Sequence, residues 1–217
     1  MNLKKILIPT VILVAGLAIY LLYFRSSNTA NEPKIYNPAD LNPMLVDLDY
    51  QAVNNDYYVK DFRLINQNAD TITHADYDGK IYVVDFFFTR CPSICPVMTK
   101  NMEKLQDRYF NNDLVQLLSI SVTPTLDSVE VLKRYAKRHN AVSSKWNITT
   151  GNKQHIYNLA RKSYFAAVDE GDGGLQDFIH TPNFILVDTQ RQIRGIYDGT
   201  RSEEILRLTD DIALLLN

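Results

Sequence analysis

Cys91 and Cys95 are the only cysteines in the 217-residue chain, and three residues separate them. They fall in Val83-Val84-Asp85-Phe86-Phe87-Phe88-Thr89-Arg90-Cys91-Pro92-Ser93-Ile94-Cys95-Pro96, where an apolar strand pattern stops and a helix pattern from Val97 to Phe110 begins. Two thiols held together at a strand-to-helix turn support two chemistries: dithiol/disulfide exchange, or ligation of a soft metal as thiolates. The i, i+4 spacing brings both sulfurs to one side if the turn coils helically. A helix N-terminus favours anions and Arg90 adjoins Cys91, so both features favour thiolate. A structural staple fits poorly, because a bridge closing three intervening residues restrains the unfolded chain far less than a long-loop one.

The elements that must position this turn follow from the hydropathy pattern. Val59 to Ile65 alternates as a half-buried strand does, and Thr71-Ile72-Thr73 is placed to pair back as a hairpin. Lys80 to Phe88 is nearly continuous in apolar character, the pattern of a central strand buried on both faces. Pro96 suits the start of a helix, and Met98, Met102, Leu105 and Tyr109 share one side of it. A buried strand over 113–122, a helix over 128–139 with Asp127 or Thr125 near its cap, a strand over 146–150 and a helix over 153–164 come next. Phe165 to Val168 reads as a short extended segment, and the strands 184–188 and 192–197 as a hairpin before a final helix over 201–216. Alternating strands and helices that end in an antiparallel hairpin and a helix imply an α/β fold: a thioredoxin-like mixed central sheet with helices on both faces.

Two thiolates do not complete a metal site, and four histidines could add a donor. His139 ends a helix pattern and is expected to face water, His155 lies in a polar helical stretch, and His74 sits in a loop. His180 directly precedes Thr181-Pro182 and an apolar strand, and in a thioredoxin-like sheet that loop packs beside the cysteine turn. On fold geometry alone, ligand and structural histidine stay equally open. Asp85 lies six residues before Cys91, the spacing of the buried acid ahead of the thioredoxin active site. It could accept a proton from Cys95 in disulfide exchange, or simply be a hydrogen-bonded strand residue. Met98 and Met102 continue the cysteine face at i+7 and i+11; thioethers bind Cu(I), but such a stripe reads first as core filling. The acidic, Gly-rich loop over 169–177 lacks the ligand spacing of an EF-hand and reads as a mobile surface loop beside His180, one that closes over a metal or meets a partner.

Upstream, Ile6 to Phe24 is a 19-residue uncharged run, reaching about 28 Å as a helix, close to the thickness of a bilayer's hydrocarbon core. It is longer than the apolar region of a cleaved signal peptide, and no small-x-small site follows it clearly, so an uncleaved single-pass transmembrane helix is favoured. No cysteine near its end suggests a lipid anchor. Lys4 and Lys5 before it and Arg25 after it place the N-terminus in the cytoplasm and the domain outside. The simplest account is a bacterial inner-membrane protein facing the periplasm. The chain then divides into a membrane anchor over 1–25, a polar tether over 26–57, ordered in part near Tyr36–Val46, and a thioredoxin-like domain over 58–217. Three of the 23 basic residues and none of the 25 acidic ones lie in residues 1–25, leaving a net −5 beyond them. With no basic patch, nucleic acid is disfavoured as a partner.

Phe88-Thr89-Arg90-Cys91-Pro92-Ser93-Ile94-Cys95-Pro96 resembles the F-T-x-C-P-x-I-C-P motif of the Sco/SenC family. Phe178-Ile179-His180-Thr181, leading into a strand that ends at Asp188, is similar to the family's histidine segment, and the likeness runs from about Val59 to Leu215. The resemblance implies a thioredoxin-like copper-binding protein that helps assemble the copper A centre of a respiratory cytochrome c oxidase. By the same resemblance the copper ligands are Cys91, Cys95 and His180, and the partner is the oxidase's copper-bearing subunit or another copper chaperone. Two sulfurs and one nitrogen suit trigonal Cu(I), and Cu(II) can use the same donors with a further ligand. Ser93 stands where many members carry an acid, Ile179 where an Asp often precedes the histidine, and Pro182 near the place of the thioredoxin cis-proline. A thiol–disulfide oxidoreductase that reduces a partner's cysteines through Cys91 and Cys95 is the alternative, with Asp85 in its favour. Redox or copper sensing through a partner is a third.

Overall fold

The computed structural model describes residues 16, 17, 20, 32–46, 50–55, 57–167 and 178–217. A seven-stranded sheet organises them. In chain order the elements are β1 (Arg63–Asn66), β2 (Thr71–Thr73), β3 (Ile81–Phe87), α1 (Cys95–Tyr109), β4 (Val115–Ser121), α2 (Val129–Arg138), β5 (Trp146–Thr150), α3 (Lys153–Lys162), β6 (Asn183–Val187), β7 (Ile193–Asp198) and α4 (Ser202–Leu215). The strand order is β2-β1-β5-β4-β3-β6-β7. β3, β4 and β5 run parallel, while β6, β7, β1 and β2 join antiparallel. This is the mixed sheet with helices on both faces that the alternation of elements implies.

All seven residues of β3 are buried, and the strand pleat sends alternate side chains to opposite faces. Ile81, Val83 and Phe87 point into a core with Met98, Met102 and Leu105 of α1, Leu132 of α2 and Leu208 of α4. Tyr82, Val84 and Phe86 point the other way, onto Ile156, Leu159 and Ala160 of α3. Three helices thus cover one face and a single helix the other. The N-terminal segment completes the thinner face: Tyr36, Leu41 and Leu45 pack on it, and Val46, Tyr57, Val59 and Phe62 are buried in it.

Much of the stretch read as a polar tether therefore lies against the sheet. Tyr36 N–H donates to Ile193 O of β7 at 2.8 Å, and Ala39 N–H to Val53 O at 3.0 Å. Arg194, itself buried, pairs with Asp188 at 2.8 Å and reaches Glu32 at 3.0 Å. Two short elements differ from the sequence reading. The strand expected over 59–65 is confined to Arg63–Asn66, since Val59 N–H bonds instead to Arg191 O in the turn between β6 and β7. No strand forms over the described part of 165–168, because Phe165 turns the chain at φ 49° and buries its ring. Of the apolar run 6–24, only Gly16, Leu17 and Tyr20 are described, all helical and exposed; no helix of the described residues is long and apolar enough to cross a membrane. The acidic loop over 169–177 lies outside the described residues.

Candidate metal centre

β3 delivers the cysteine turn to the end of the sheet. Cys91 N–H bonds back to Phe88 O at 3.2 Å, and α1 begins at Cys95 with Pro96 directly behind it. Both thiols are free. The helix start supplies an unpaired N–H, and Cys95 N–H donates it to Cys91 Sγ at 3.4 Å, with Ser93 Oγ 3.7 Å away. The histidine segment arrives from the other side, where Thr181 Oγ1 and Asn183 Nδ2 both donate to Ala166 O, at 2.6 and 2.9 Å. His180 Nε2 thereby stands 3.9 Å from Cys91 Sγ. Its ring is exposed, stacked on Phe178 with centroids 6.4 Å apart and edge-on to Phe88 at 6.1 Å. The Thr181–Pro182 bond is trans, as are all the described peptide bonds. A cavity of about 370 Å³ opens alongside His180, Pro182 and Arg161.

Cys91 Sγ and His180 Nε2 are close enough to share one soft metal. Bonds of about 2.3 Å to thiolate and about 2.0 Å to imidazole, the lengths known at zinc, would meet at roughly 130° to span the 3.9 Å between Sγ and Nε2. That angle is nearer to a trigonal than to a tetrahedral arrangement. Cys95, the third predicted donor, touches Cys91 through its backbone N–H, 3.4 Å from Cys91 Sγ. Among the described residues no three His, Cys, Asp or Glu groups stand together as a set that could hold a metal ion, so the structure brings Cys91 and His180 within reach of one ion and does not place all three predicted donors around it.

Electrostatically the two sulfurs are unlike. Burial alone would push the Cys91 thiol up. Hydrogen bonds from the Cys95 thiol, from the backbone N–H groups of Cys95 and Ser93 and from His180 outweigh it and bring Cys91 down to about 6. Burial pushes the Cys95 thiol up instead, and the Cys91 sulfur and Asp85 add to the shift. Asp85 sits on the α1 face of β3, where burial raises it to about 7 against the pull of its hydrogen bond from Ser119 Oγ. The same Ser119 oxygen accepts from Trp146 Nε1 at 2.8 Å, so Asp85 is held from beneath.

The sequence model of the SCO1/SenC family matches residues 51–216. The chain belongs to the SCO1/SenC family. A SCO1/SenC family lipoprotein from Bacillus anthracis superposes with a TM-score of 0.65 at 31% identity, over 74% of this chain and 96% of that one. BsSco, a member of the Sco family of cytochrome c oxidase assembly proteins, gives 0.62 at 29%, over 74% and 94%. Arabidopsis thaliana ScoI, solved with copper bound, gives 0.56 at 23%, over 73% and 98%, a likeness of fold.

Within this SCO1/SenC domain the other histidines stand beside other groups than the cysteines. His139 does not simply face water: its Nδ1 lies 2.7 Å from Glu103 Oε1, and its ring packs on Tyr135 with centroids 4.4 Å apart. His155 Nε2 accepts from Arg63 N–H at 3.3 Å, and His74 Nδ1 stands 3.5 Å from Asp61. Met98 and Met102 are completely buried core residues, as their spacing suggested. Sequence reasoning missed one group near the cysteines, Asp127, which it considered only as a helix cap. The cap is Ser128, which accepts from Val131 N–H, and Asp127 bonds instead to Thr89. The available signal was the pair Ser119 and Ser121, two hydroxyls on the strand face that Val115 and Leu117 otherwise make apolar.

Proposed function

We propose that this chain is a membrane-tethered copper chaperone that binds copper through Cys91, Cys95 and His180. It delivers the metal to the copper-bearing subunit of a cytochrome c oxidase, or exchanges it with another copper chaperone. The observation that carries the reading is the 3.9 Å approach of Cys91 Sγ to His180 Nε2, two soft donors from segments 89 residues apart in sequence. Membership of SCO1/SenC, the copper bound to Arabidopsis thaliana ScoI and the assembly role of BsSco support it. Thiolate and imidazole select copper over hard ions. The buried sulfurs grip the metal from the core, while the exposed imidazole is the donor a recipient can replace. The apolar run over 6–24 serves as the anchor that holds the domain at the outer face of a bacterial inner membrane, as the flanking lysines support. The reduced full chain is expected to take up one Cu(I) in a competition titration. Cys91→Ser or Cys95→Ser should each weaken uptake by more than about a hundredfold, beyond what loss of an outer partner costs a metal site; uptake unchanged in both would contradict the reading.

A thiol–disulfide oxidoreductase is the second reading, favoured by the unlike sulfurs over a buried Asp85. In it the Cys91 thiolate attacks a partner disulfide and expels one partner thiolate. Cys95, having passed its proton to Asp85, then attacks the Cys91 sulfur and expels the second, so the dithiol is oxidised as the partner is reduced. Insulin reduction that needs both cysteines and Asp85 but ignores His180 would favour it; no such activity would remove it as a general reductase.

A further inference from the structure

The turn that carries Cys91 is tied to the next strand by a carboxylate that neither copper ligation nor disulfide exchange uses. Asp127 is fully buried. Its Oδ1 accepts from Thr89 Oγ1 at 2.5 Å, and its Oδ2 accepts from Thr89 N–H at 3.1 Å, Ser121 Oγ at 2.6 Å and Thr123 Oγ1 at 2.9 Å. Four neutral donors converge on the carboxylate, three on Oδ2 and one on Oδ1, so its buried charge is well compensated. Two of the four come from Thr89, whose backbone and side chain are both fixed. Thr89 lies inside the turn that Cys91 N–H closes on Phe88 O. The carboxylate is turned toward that loop and away from α2, which Ser128 caps. His180 is placed by separate anchors, the bonds of Thr181 and Asn183 to Ala166 O. The Cys91–His180 distance therefore depends on where Thr89 is held.

We propose that Asp127 is a positioning residue for the copper site: by clamping Thr89 to the end of β4, it sets where the Cys91 sulfur stands relative to His180. The proposal rests on the copper reading above. It requires geometry rather than charge. An Asn can turn its amide NH₂ toward Thr89 Oγ1, which is able to accept, and keep its oxygen for the other three donors. An Ala leaves all four donors without a partner.

The test uses the reduced full chain, Cu(I) competition titrations, and the thiolate-to-copper charge-transfer absorption of the Cu(II) complex. Thr89→Val and Ser121→Ala each remove one hydroxyl bond to the same carboxylate, one from the cysteine side and one from the sheet side. Thr89→Val is expected to weaken copper binding about tenfold, the lower range for loss of a partner that orients a metal ligand, and to shift the absorption band. Ser121→Ala leaves Thr123 Oγ1 and both Thr89 bonds on the carboxylate, so it should lose clearly less affinity than Thr89→Val. Asp127→Asn should resemble the parent, and Asp127→Ala should fall with Thr89→Val. Equal losses in Thr89→Val and Ser121→Ala, in step with their loss of stability, would overturn the proposal, as would a folded Asp127→Ala that binds like the parent. If Asp127→Ala does not fold, the Thr89/Ser121 pair decides alone. If the parent itself binds no copper, the copper reading fails and the alkylation rate of Cys91 becomes the readout. Positioning then stands if Thr89→Val alters that rate more than Ser121→Ala does, and falls if the two alter it alike or leave it unchanged.

Discussion

The cysteine half of the site and the histidine half are built from different materials. Cys95 opens a helix and Cys91 closes a turn on a fully buried strand, and the two are 3% and 8% exposed. His180 is exposed, carried on a loop whose side-chain anchors converge on one carbonyl, Ala166 O, and its ring rests on Phe178, itself 49% exposed. The difference assigns the two halves separate tasks. In the proposed site the core fixes the sulfurs and sets their unlike affinities for protons, while the imidazole would close it from the solvent side. A chaperone needs both, a grip that persists and a donor that can be released.

The largest consequence lies within the cysteine half. At pH 7 Cys91 should react with iodoacetamide at least about a hundredfold faster than Cys95, since the thiolate is the nucleophile. Its rate should be half-maximal near pH 6, where hydrogen bonds place its thiol. Alkylation followed by peptide mass spectrometry checks this, and equal labelling would erase the contrast between the sulfurs. Asp85 gives the next effect. Burial raises it to about 7 from an ordinary 3.8, so the folded chain keeps a proton that the unfolded chain releases between those values. Stability contributed by this group is therefore lost as pH climbs from about 4 to about 7, and is level above that. Asp85→Asn should remove that slope, gaining on the order of a few kcal/mol over the parent between pH 5 and pH 8 in urea unfolding. A parallel pair of curves would show that Asp85 is not held protonated.

On the histidine side, Phe178→Ala should weaken Cu(I) binding by a factor of roughly three, the worth of one aromatic contact. Its urea midpoint should barely move, because the ring is half in water. A change in stability without a change in affinity would reassign Phe178 to the core. The smallest effect is expected at Met98→Leu, a swap of similar volume that should cost less than about 1.5 kcal/mol and leave copper binding unchanged. A fall in copper affinity there would make the methionine a donor.

The contrast between the halves also explains what could be read from the sequence. Ile81–Phe87 and Trp146–Thr150 announced themselves by continuous burial and clear turn residues, and α1 by its apolar side. Cys91, Cys95 and His180 carried both chemistry and a family motif. The N-terminal segment did not, because Tyr36, Leu41, Leu45 and Val46 are scattered among prolines and polar residues and gain meaning only against a sheet face that one helix leaves uncovered. The turn at Phe165 was equally hidden, since a positive φ at a bulky residue is imposed by its surroundings. Asp127 was concealed by position: an acid ahead of a helix reads as a cap, and only the folded chain brings Thr89 to it.

The most direct test of the whole account is a Cu(I) titration of the reduced full chain and of His180→Ala, with the binding constant read against a competing chelator. The account predicts one tightly bound Cu(I) in the parent, and an affinity at least about a hundredfold weaker in the variant, more than an orienting partner would cost, with the fold retained. Equal affinity in the two chains would show that the imidazole 3.9 Å from Cys91 is no ligand, and would contradict the metal centre proposed here.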